Sequence, residues 1–263
     1  MNSAVDKSIA LLYGIMLGDG CLSYYTSRDG KKHFVISITG SYNDDLPFFE
    51  KILVPLVENI RGKTVKIIKR ESNGRIDLNF HDKELFNYFK GLGFIVGKKG
   101  PSITIPKIFY EKNLIRHIIQ GFFATDGSLV LTKNPNKFYP RLEIHTIHKY
   151  LMSQAHSYLV SIGMKGHIYD KKSKPDPRWK TFQQQYRFQF NGKENLLIFE
   201  KLIGFVNPKH HEKFVKFLRY DRQYNKAVHK SHILDYKQIR ESINIEFTKK
   251  MAAPGVEPGT SAS

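Results

Sequence analysis

The chain of 263 residues is poor in cysteine, in acidic residues and in long apolar runs. Its single cysteine, Cys21, excludes a disulfide within the chain and any zinc cluster built on cysteines. The most apolar N-terminal stretch, residues 9–17, is about half of the roughly 20 residues that cross a bilayer. These absences argue against a disulfide scaffold and a membrane-spanning protein, and they favour a reducing compartment.

The shortage of acids leaves a strong positive charge. Lys and Arg number 42 against 24 Asp and Glu, which gives a formal net charge of +18. Hydrophobic residues make up 41% of the chain, so it has enough apolar surface for a folded core and is not a disordered polymer. A folded chain with this charge predicts a polyanionic partner, nucleic acid first and an anionic membrane surface second.

Two similar nonapeptides, LYGIMLGDG and IQGFFATDG, indicate an internal repeat. Their alignment pairs three residues of each: Gly14 with Gly121, Asp19 with Asp126, and Gly20 with Gly127. A Gly-Phe step also occurs in both halves, and the fourth residue after each Phe is Lys98 or Lys209. Each half therefore has an acid near its start and a lysine about 80 residues later.

Hydrophobic periodicity and turn signals predict the order αββαββα twice, hence an α+β fold of two pseudo-symmetric repeats. Each repeat is predicted to form a twisted antiparallel sheet, a saddle, with the two motif helices packed together. In the first half we expect a helix near residues 44–60 and a hairpin turning at Asn73 and Gly74. The predicted divisions are residues 1–107 and 108–225 for the repeats, 226–250 for a helical extension and 251–263 for a disordered tail.

Each motif helix is predicted to end in Asp-Gly. The glycine is explained as a left-handed helix terminator. The aspartate opposes the helix dipole at a cost of a few tenths of a kcal/mol. Small residues four apart, Gly14 with Gly18 and Gly121 with Thr125, give each helix a smooth face on which the other can pack closely. That packing would bring Asp19 near Asp126, and two carboxylates so placed favour a hard divalent cation between them, Mg²⁺ above all.

Residues 12–20 and 119–127 resemble the two signature motifs of the LAGLIDADG homing endonucleases in their single-chain form. The resemblance covers about residues 8–225. This chain has Gly18 and Thr125 where the family name has alanine, and Leu17 and Ala124 where it has its first aspartate. The resemblance implies a monomeric, metal-dependent DNA endonuclease that cuts both strands.

The resemblance also implies roles for individual residues. Asp19 and Asp126 would bind catalytic Mg²⁺, which Mn²⁺ or Ca²⁺ can replace, and the backbone carbonyls of Gly18 and Thr125 would complete the metal shell. Lys98 and Lys209 are the candidates for lysines beside the reacting phosphate, with Lys99 as an alternative to Lys98. A water-positioning side chain is expected near Gly40 and Thr146, although Gly40 has no side chain to supply.

The predicted strands would contact DNA, because a twisted antiparallel ribbon fits the major groove. Charged residues of both ribbons and glutamines of the second are the candidates: Lys66, Lys69, Arg70, Arg75, Lys171, Lys172, Lys174, Arg178, Lys180, Gln183, Gln185, Arg187 and Gln189. Because the halves differ in sequence, the expected target is asymmetric and spans about two helical turns, or about 20 base pairs.

The leading prediction is a site-specific double-strand DNA endonuclease encoded within an intron. Two alternatives stay open on the same fold: an RNA-binding maturase that acts on group I intron RNA, and a relative that binds DNA without cutting it. An intein origin is not expected, because Met1 comes only a few residues before the first motif. High Lys, Ile, Tyr and Phe usage would suit an AT-rich organellar or microbial genome, and the sequence does not decide between organelle and microbial cytoplasm.

Overall fold

The computed structural model describes residues 3–134, 137–172 and 184–221. The first half contains, in order, α1 (Ser3–Asp19), β1 (Gly20–Thr26), β2 (Lys32–Ser41), α2 (Tyr42–Phe48), a π-helical turn (Phe49–Leu53), α3 (Val54–Arg61), β3 (Ile67–Arg70), a 3-10 turn (Glu71–Asn73), β4 (Arg75–His81) and α4 (Lys83–Gly91). The second half begins with a short link, α5 (Lys107–Glu111), and continues with α6 (Ile115–Asp126), β5 (Gly127–Asn134), β6 (Lys137–Thr146), α7 (Lys149–Ser161), β7 (Gly166–Lys172), β8 (Gln184–Asn191), α8 (Lys193–Leu202) and α9 (Pro208–Tyr220).

The two halves form four-stranded sheets of the same topology. The strand orders are β1-β2-β4-β3 and β5-β6-β8-β7, and the strand pairs are antiparallel. One face of each sheet is buried against helices, through Ile36, Ile38, Ile76 and Leu78 in the first sheet and Leu142, Ile144, Phe188 and Phe190 in the second. The alternate side chains point to the opposite, outward face. The predicted α+β fold with two αββαββα repeats is confirmed.

The motif helices α1 and α6 pack closely against each other, and their glycines make this approach possible. A Cβ atom added to Gly14 would collide with the backbone carbonyl of Ile118, and one added to Gly121 would collide with the carbonyl of Leu11. Each glycine is thus in contact with the backbone of the other helix, where no larger residue fits. This contact holds the two halves together, as the sequence predicted.

The glycines after the two aspartates do not terminate their helices in the way we expected. Gly127 has an extended backbone, with φ −77° and ψ 155°, and Gly20 is not among the glycines with positive φ. Instead each glycine starts a strand that folds directly against the last helical turn. A Cβ on Gly20 would lie 2.5 Å from Cα of Met16, and one on Gly127 would meet the backbone and ring of Phe123. The left-handed interpretation was therefore wrong, and the requirement for glycine is steric.

The predicted helix near residues 44–60 is present but is not regular. It runs as α2, the π-helical turn and α3, with Pro47 inside α2 and Pro55 at the start of α3. A proline ring clashes with the carbonyl four residues earlier, which explains why a wider turn precedes Pro55. The predicted hairpin is confirmed, with Gly74 in the left-handed region at φ 59°.

Within the described residues, no helix is both long and apolar enough to span a bilayer. The predicted helical extension at 226–250 and the predicted tail at 251–263 lie outside the described residues.

Candidate active site and nucleic-acid interface

The close packing of α1 and α6 brings the ends of the two motif helices together. A Cβ atom on Gly18 would lie 2.9 Å from Oδ2 of Asp126 and would collide with the hydroxyl of Thr125. That hydroxyl donates a hydrogen bond of 3.0 Å to the carbonyl of Phe122, one turn back in α6. Asp126 therefore lies against the last turn of α1, beside Asp19.

The electrostatics of the two carboxyls reflect this proximity. Although Asp19 retains solvent-exposed surface, surrounding protein displaces water from its carboxyl and raises its pKa to about 6. The charge of Asp45 adds to this rise, and Lys99 and Lys209 oppose it. Desolvation raises the pKa of Asp126 to about 7, with a further contribution from Asp19 and opposition from Lys99. The charge of Asp19 thus disfavours ionisation of Asp126, and a cation between the two carboxyls would favour the charged form of both.

Lys99 is the lysine of the first half that reaches the acid pair. Its Nζ donates hydrogen bonds of 3.1 Å to the carbonyl of Met16 and 2.8 Å to that of Leu17, and it also bonds the carbonyl of Gly18. Burial lowers the pKa of Lys99, while Asp126 and Asp19 raise it. An amine at this place satisfies the last carbonyls of α1 and offsets the unfavourable dipole at the helix end.

Lys98, which the spacing from the Gly-Phe step selected, is exposed, and it lines a cavity of about 390 Å³ together with Lys99. The chain turns at Gly97, where φ is 89°, and of the two adjacent lysines it is Lys99 whose amine bonds carbonyls at the end of α1. The structure therefore favours Lys99, the alternative that the sequence left open, over Lys98 as the first-half lysine beside the acid pair. The role of Lys99 at the phosphate stays a prediction.

The second half presents a different set of groups at the same place. Asn207 is 1% exposed, and its Nδ2 donates a hydrogen bond of 2.8 Å to the carbonyl of Ala124, near the end of α6. Lys209 lies two residues further on and forms an ion pair of 2.7 Å with Oδ1 of Asp45. Because Asp45 belongs to α2, this ion pair joins the two halves of the chain.

The predicted metal ligands were Asp19, Asp126 and the carbonyls of Gly18 and Thr125. The two carboxyls meet, their oxygens are the donors that Mg²⁺ prefers, and within the described residues no group donates a hydrogen bond to either of them. The carbonyl of Gly18 accepts a hydrogen bond from Lys99. Across the described part of the chain, no set of three His, Cys, Asp or Glu side chains is arranged to hold a metal. These residues fit an oxygen-rich site of two carboxylates completed by backbone and water.

The two positions predicted to orient water carry different chemical groups. A Cβ atom on Gly40 would lie 3.1 Å from Oδ2 of Asp45, so the Asp45 carboxylate stands where a side chain of residue 40 would be. The hydroxyl of Thr146 accepts a hydrogen bond of 3.2 Å from the backbone N–H of His148, at the start of α7. The first half thus supplies a carboxylate from α2 and the second half a hydroxyl from β6.

The outward face of the first sheet carries two of the predicted DNA contacts. Arg70 and Arg75 are directly opposite each other on β3 and β4, and both guanidinium groups pair with the buried Asp77, at 3.3 Å and 2.7 Å. Lys66 is exposed just before β3. Lys69 is opposite Ile76 on the helix-covered side and pairs with Glu50 at 2.7 Å. Lys69 is therefore placed away from the outward face.

On the second sheet, the alternation of β8 puts Gln185, Arg187 and Gln189 on the outward face, with Phe188 and Phe190 buried between them. The Arg187 guanidinium lies 5.4 Å from the ring centre of Tyr169. Lys171 and Lys172 end β7, opposite Gln185 and Gln184. The remaining candidates lie outside the described residues: Lys174, Arg178, Lys180 and Gln183.

Sequence reasoning missed three acids of this region. Asp45 lies at the acid pair, Asp77 holds two arginines, and Glu143 accepts a hydrogen bond of 3.1 Å from Gln189. The alternation of β4 gave a signal for Asp77, because an acid between Ile76 and Leu78 on a basic sheet needs a partner. No sequence signal links Asp45 to the site, since Asn207 and Lys209, the partners that connect it to the second half, are 162 and 164 residues away.

Residues 113–204 match the family model of a LAGLIDADG-like domain. The fold is shared with the LAGLIDADG homing endonuclease I-LtrWI bound to target DNA, which is 12% identical with a TM-score of 0.56 and matches 92% of this chain and 97% of its own. It is also shared with I-DmoI in complex with DNA and Ca, which is 17% identical with a TM-score of 0.55 and matches 81% of this chain and 98% of its own. A third structure, the meganuclease I-SmaMI bound to uncleavable DNA, is 15% identical with a TM-score of 0.52 and matches 94% of this chain and 99% of its own. The resemblance to the LAGLIDADG homing endonucleases, seen first in the two motifs, is confirmed.

Two curated relatives come from Methanocaldococcus jannaschii. A probable translation initiation factor IF-2 is 28% identical over 253 residues, which are 93% of this chain and 19% of that protein. An uncharacterized protein is 22% identical over 176 residues, which are 66% of this chain and 61% of that protein. The chain thus spans about a fifth of one relative and three fifths of the other.

Proposed function

We propose that this chain, which has the fold of the LAGLIDADG homing endonucleases, is a site-specific endonuclease of double-stranded DNA that requires a divalent cation. The observation that supports this most directly is the meeting of Asp19 and Asp126 at the ends of two helices packed through glycines. An aspartate at the end of each helix opposes the helix dipole and lowers stability. This loss is understandable if the two acids bind a cation at a phosphodiester. We assign none of the activity of the initiation factor to this chain.

In this proposal, Asp19 and Asp126 hold the cation, with Mg²⁺ as the physiological ion and Mn²⁺ or Ca²⁺ able to occupy the same place. When bound, such an ion acidifies water and stabilises charge on the oxygens of the phosphodiester. The chain's own groups orient the substrate around the acids. Lys99 and Lys209 place positive charge beside the reacting phosphate, where charge develops during cleavage.

DNA would lie along the outward faces of the two sheets. The first offers Lys66, Arg70 and Arg75, and the second offers Gln185, Arg187 and Gln189. Arg pairs with guanine and Gln with adenine in the major groove, so these residues are suited to base recognition as well as phosphate contact. Because the faces differ, we propose a monomer that binds an asymmetric target of about two helical turns.

The test begins with binding selection from a pool of random-sequence duplexes at moderate salt. The selected duplexes are then incubated with the purified chain in Mg²⁺, and the ends are sequenced. We expect cuts in both strands at one staggered position, and no cuts when EDTA replaces Mg²⁺. Tight binding without cutting in Mg²⁺ or Mn²⁺ would contradict the proposal and would indicate a binding-only relative. Preference for structured intron RNA over every selected duplex would point to a maturase.

A further inference from the structure

Asp45 is a third carboxylate at the acid pair, and its contacts are unusual. Its side chain is 13% exposed, and both oxygens are in use. Oδ2 accepts a hydrogen bond of 3.0 Å from the backbone N–H of Ser41, which fixes the carboxylate at the end of β2. Oδ1 accepts from Lys209 at 2.7 Å and from Asn207 at 3.4 Å. The Asp45 carboxylate is therefore fixed by a backbone N–H of its own half and bonds two side chains of the other half.

The partners of Asp45 lead directly to the end of the second motif helix. Asn207 bonds the carbonyl of Ala124, two residues before Asp126, and its Oδ1 accepts a hydrogen bond of 3.1 Å from the backbone N–H of Lys209. Asn207 thus begins α9 and connects that helix to α6. Asp45 closes this arrangement by fixing the Lys209 ammonium, whose long side chain would otherwise be free to rotate.

Asp45 also occupies space that a side chain on β2 would normally take. A Cβ atom on Gly40 would lie 3.2 Å from Cβ of Asp45, so the glycine makes room for the carboxylate. Asp45 and Lys209 are both near enough to Asp19 to move the pKa of its carboxyl in opposite directions. The ion pair therefore adjoins the first motif acid although Lys209 belongs to the second half.

We propose that Asp45 is a positioning residue that holds Lys209 at the Asp19 side of the site, and that this hold sets the relative rates at which the two strands are cut. The cutting part of this inference rests on the proposed function. Lys99 is held by backbone carbonyls of α1, and Lys209 is held by a side-chain carboxylate from the other half. Loss of Asp45 should consequently affect one strand more than the other.

The test compares Asp45→Asn with Asp44→Asn. Asp44 is the matched control, because it is the adjacent acid of α2 and is exposed, and because its side chain bonds Ser41 and no other described residue. Each strand of a selected duplex carries its own fluorophore, and the nicking rate of each strand is measured in Mg²⁺. We expect Asp45→Asn to change the ratio of the two rates at least about fivefold and Asp44→Asn to leave it unchanged. Equal slowing of both strands by Asp45→Asn would overturn the strand claim.

A double-mutant cycle separates positioning from a general structural effect. If Asp45 acts through Lys209, adding Asp45→Asn to Lys209→Met should change the strand ratio no further than Lys209→Met alone. Independent, multiplying effects would show that Asp45 acts by another route. Thermal unfolding of each variant identifies any that is simply less folded.

A second readout needs no cleavage. Acetylation of lysine amines by acetic anhydride, followed residue by residue with mass spectrometry, should be severalfold faster at Lys209 in Asp45→Asn than in the parent. Lys98, exposed in the same protein, serves as the internal reference. If the parent cuts no DNA, the proposed function fails, and this labelling rate still decides whether Asp45 holds Lys209. An unchanged rate at Lys209 would overturn the positioning claim.

Discussion

The two halves of the chain share a backbone plan but end their motif helices with different chemistry. In the first half, the amine of Lys99 bonds the last carbonyls of α1. In the second half, the amide of Asn207 bonds the carbonyl of Ala124, and Lys209 is paired with Asp45 from the first half. A repeat can therefore preserve topology and the placement of its acids while the groups around those acids diverge.

The divergence is visible one residue after the paired lysines. Counting from the Gly-Phe steps, Lys99 corresponds to His210. His210 is 2% exposed and packs against Phe123, with ring centres 5.2 Å apart. Burial lowers the pKa of His210 to about 3, so the ring is neutral. Where the first half directs a charged amine at the acids, the second half buries an uncharged ring in the core.

The largest expected effect concerns the motif aspartates, which both halves have in common. Asp19→Asn and Asp126→Asn should each reduce cleavage in Mg²⁺ by about a thousandfold, on the scale of losing a group that stabilises developing charge. Duplex binding should persist, because removing a negative charge does not weaken attraction to DNA. Gel-based cleavage and binding titrations measure the two quantities separately. Glu111→Gln, an exposed acid paired with Lys107, is the charge-matched control. Full activity in either aspartate variant would contradict the shared role.

The next effect sharpens the contrast between adjacent lysines. Lys99→Met should lower the cleavage rate about a hundredfold, because its amine lies at the end of α1 beside both acids. Lys98→Met should lower it less than about threefold, with only the loss of one exposed charge. Single-turnover rates at saturating enzyme separate this effect from binding. The reverse order of effects would restore the assignment that the sequence spacing suggested.

A third comparison concerns the symmetric glycine contact. Gly14→Ala and Gly121→Ala should each destabilise the fold by about 2 kcal/mol or more, because the added methyl group meets backbone of the other helix. Gly91→Ala is the control, since Gly91 is helical, exposed and has nothing within 4 Å of an added Cβ. That substitution should be neutral or slightly stabilising. Urea unfolding gives all three values, and a neutral result at Gly14 would exclude the tight contact.

The smallest expected effect concerns a difference between α4 and α8. Counting from the Gly-Phe steps, Phe89 of the first half corresponds to Glu200, whose burial raises its pKa from 4.5 to about 7. The folded chain then binds this proton more tightly than the unfolded chain, so its contribution to stability is lost as pH rises from about 4.5 to 7.

Glu200→Gln removes that titration. The difference between the Tm of the variant and the Tm of the parent should increase by a few degrees, in favour of the variant, between pH 4.5 and pH 8. Thermal unfolding at several pH values measures this difference. Glu194→Gln, an exposed acid on the same helix, is the charge-matched control. A pH-independent difference for Glu200→Gln would contradict the raised pKa.

Much of the fold could be predicted because it depends on local signals. The glycines of the two nonapeptides, the alternation of Ile36 and Ile38 on β2, and the Asn73-Gly74 turn each act within a few residues, and each led to the right element. The choice between Lys98 and Lys99 could not be made in this way. Whether Lys98 or Lys99 reaches the helix end depends on how the chain turns beside β1, where Gly97 donates a hydrogen bond of 2.7 Å to the carbonyl of Leu22.

The sequence by itself determined the repeat, the pairing of Asp19 with Asp126 and the close contact of their helices. It could do so because glycine spacing and apolar periodicity are local properties of each helix. Only the tertiary structure decided which lysine side chains face those acids. It brought Asp45 to Lys209 across 164 residues and turned Lys69 toward Glu50. Contacts between groups so far apart depend on how whole elements pack, and no spacing in the chain records that.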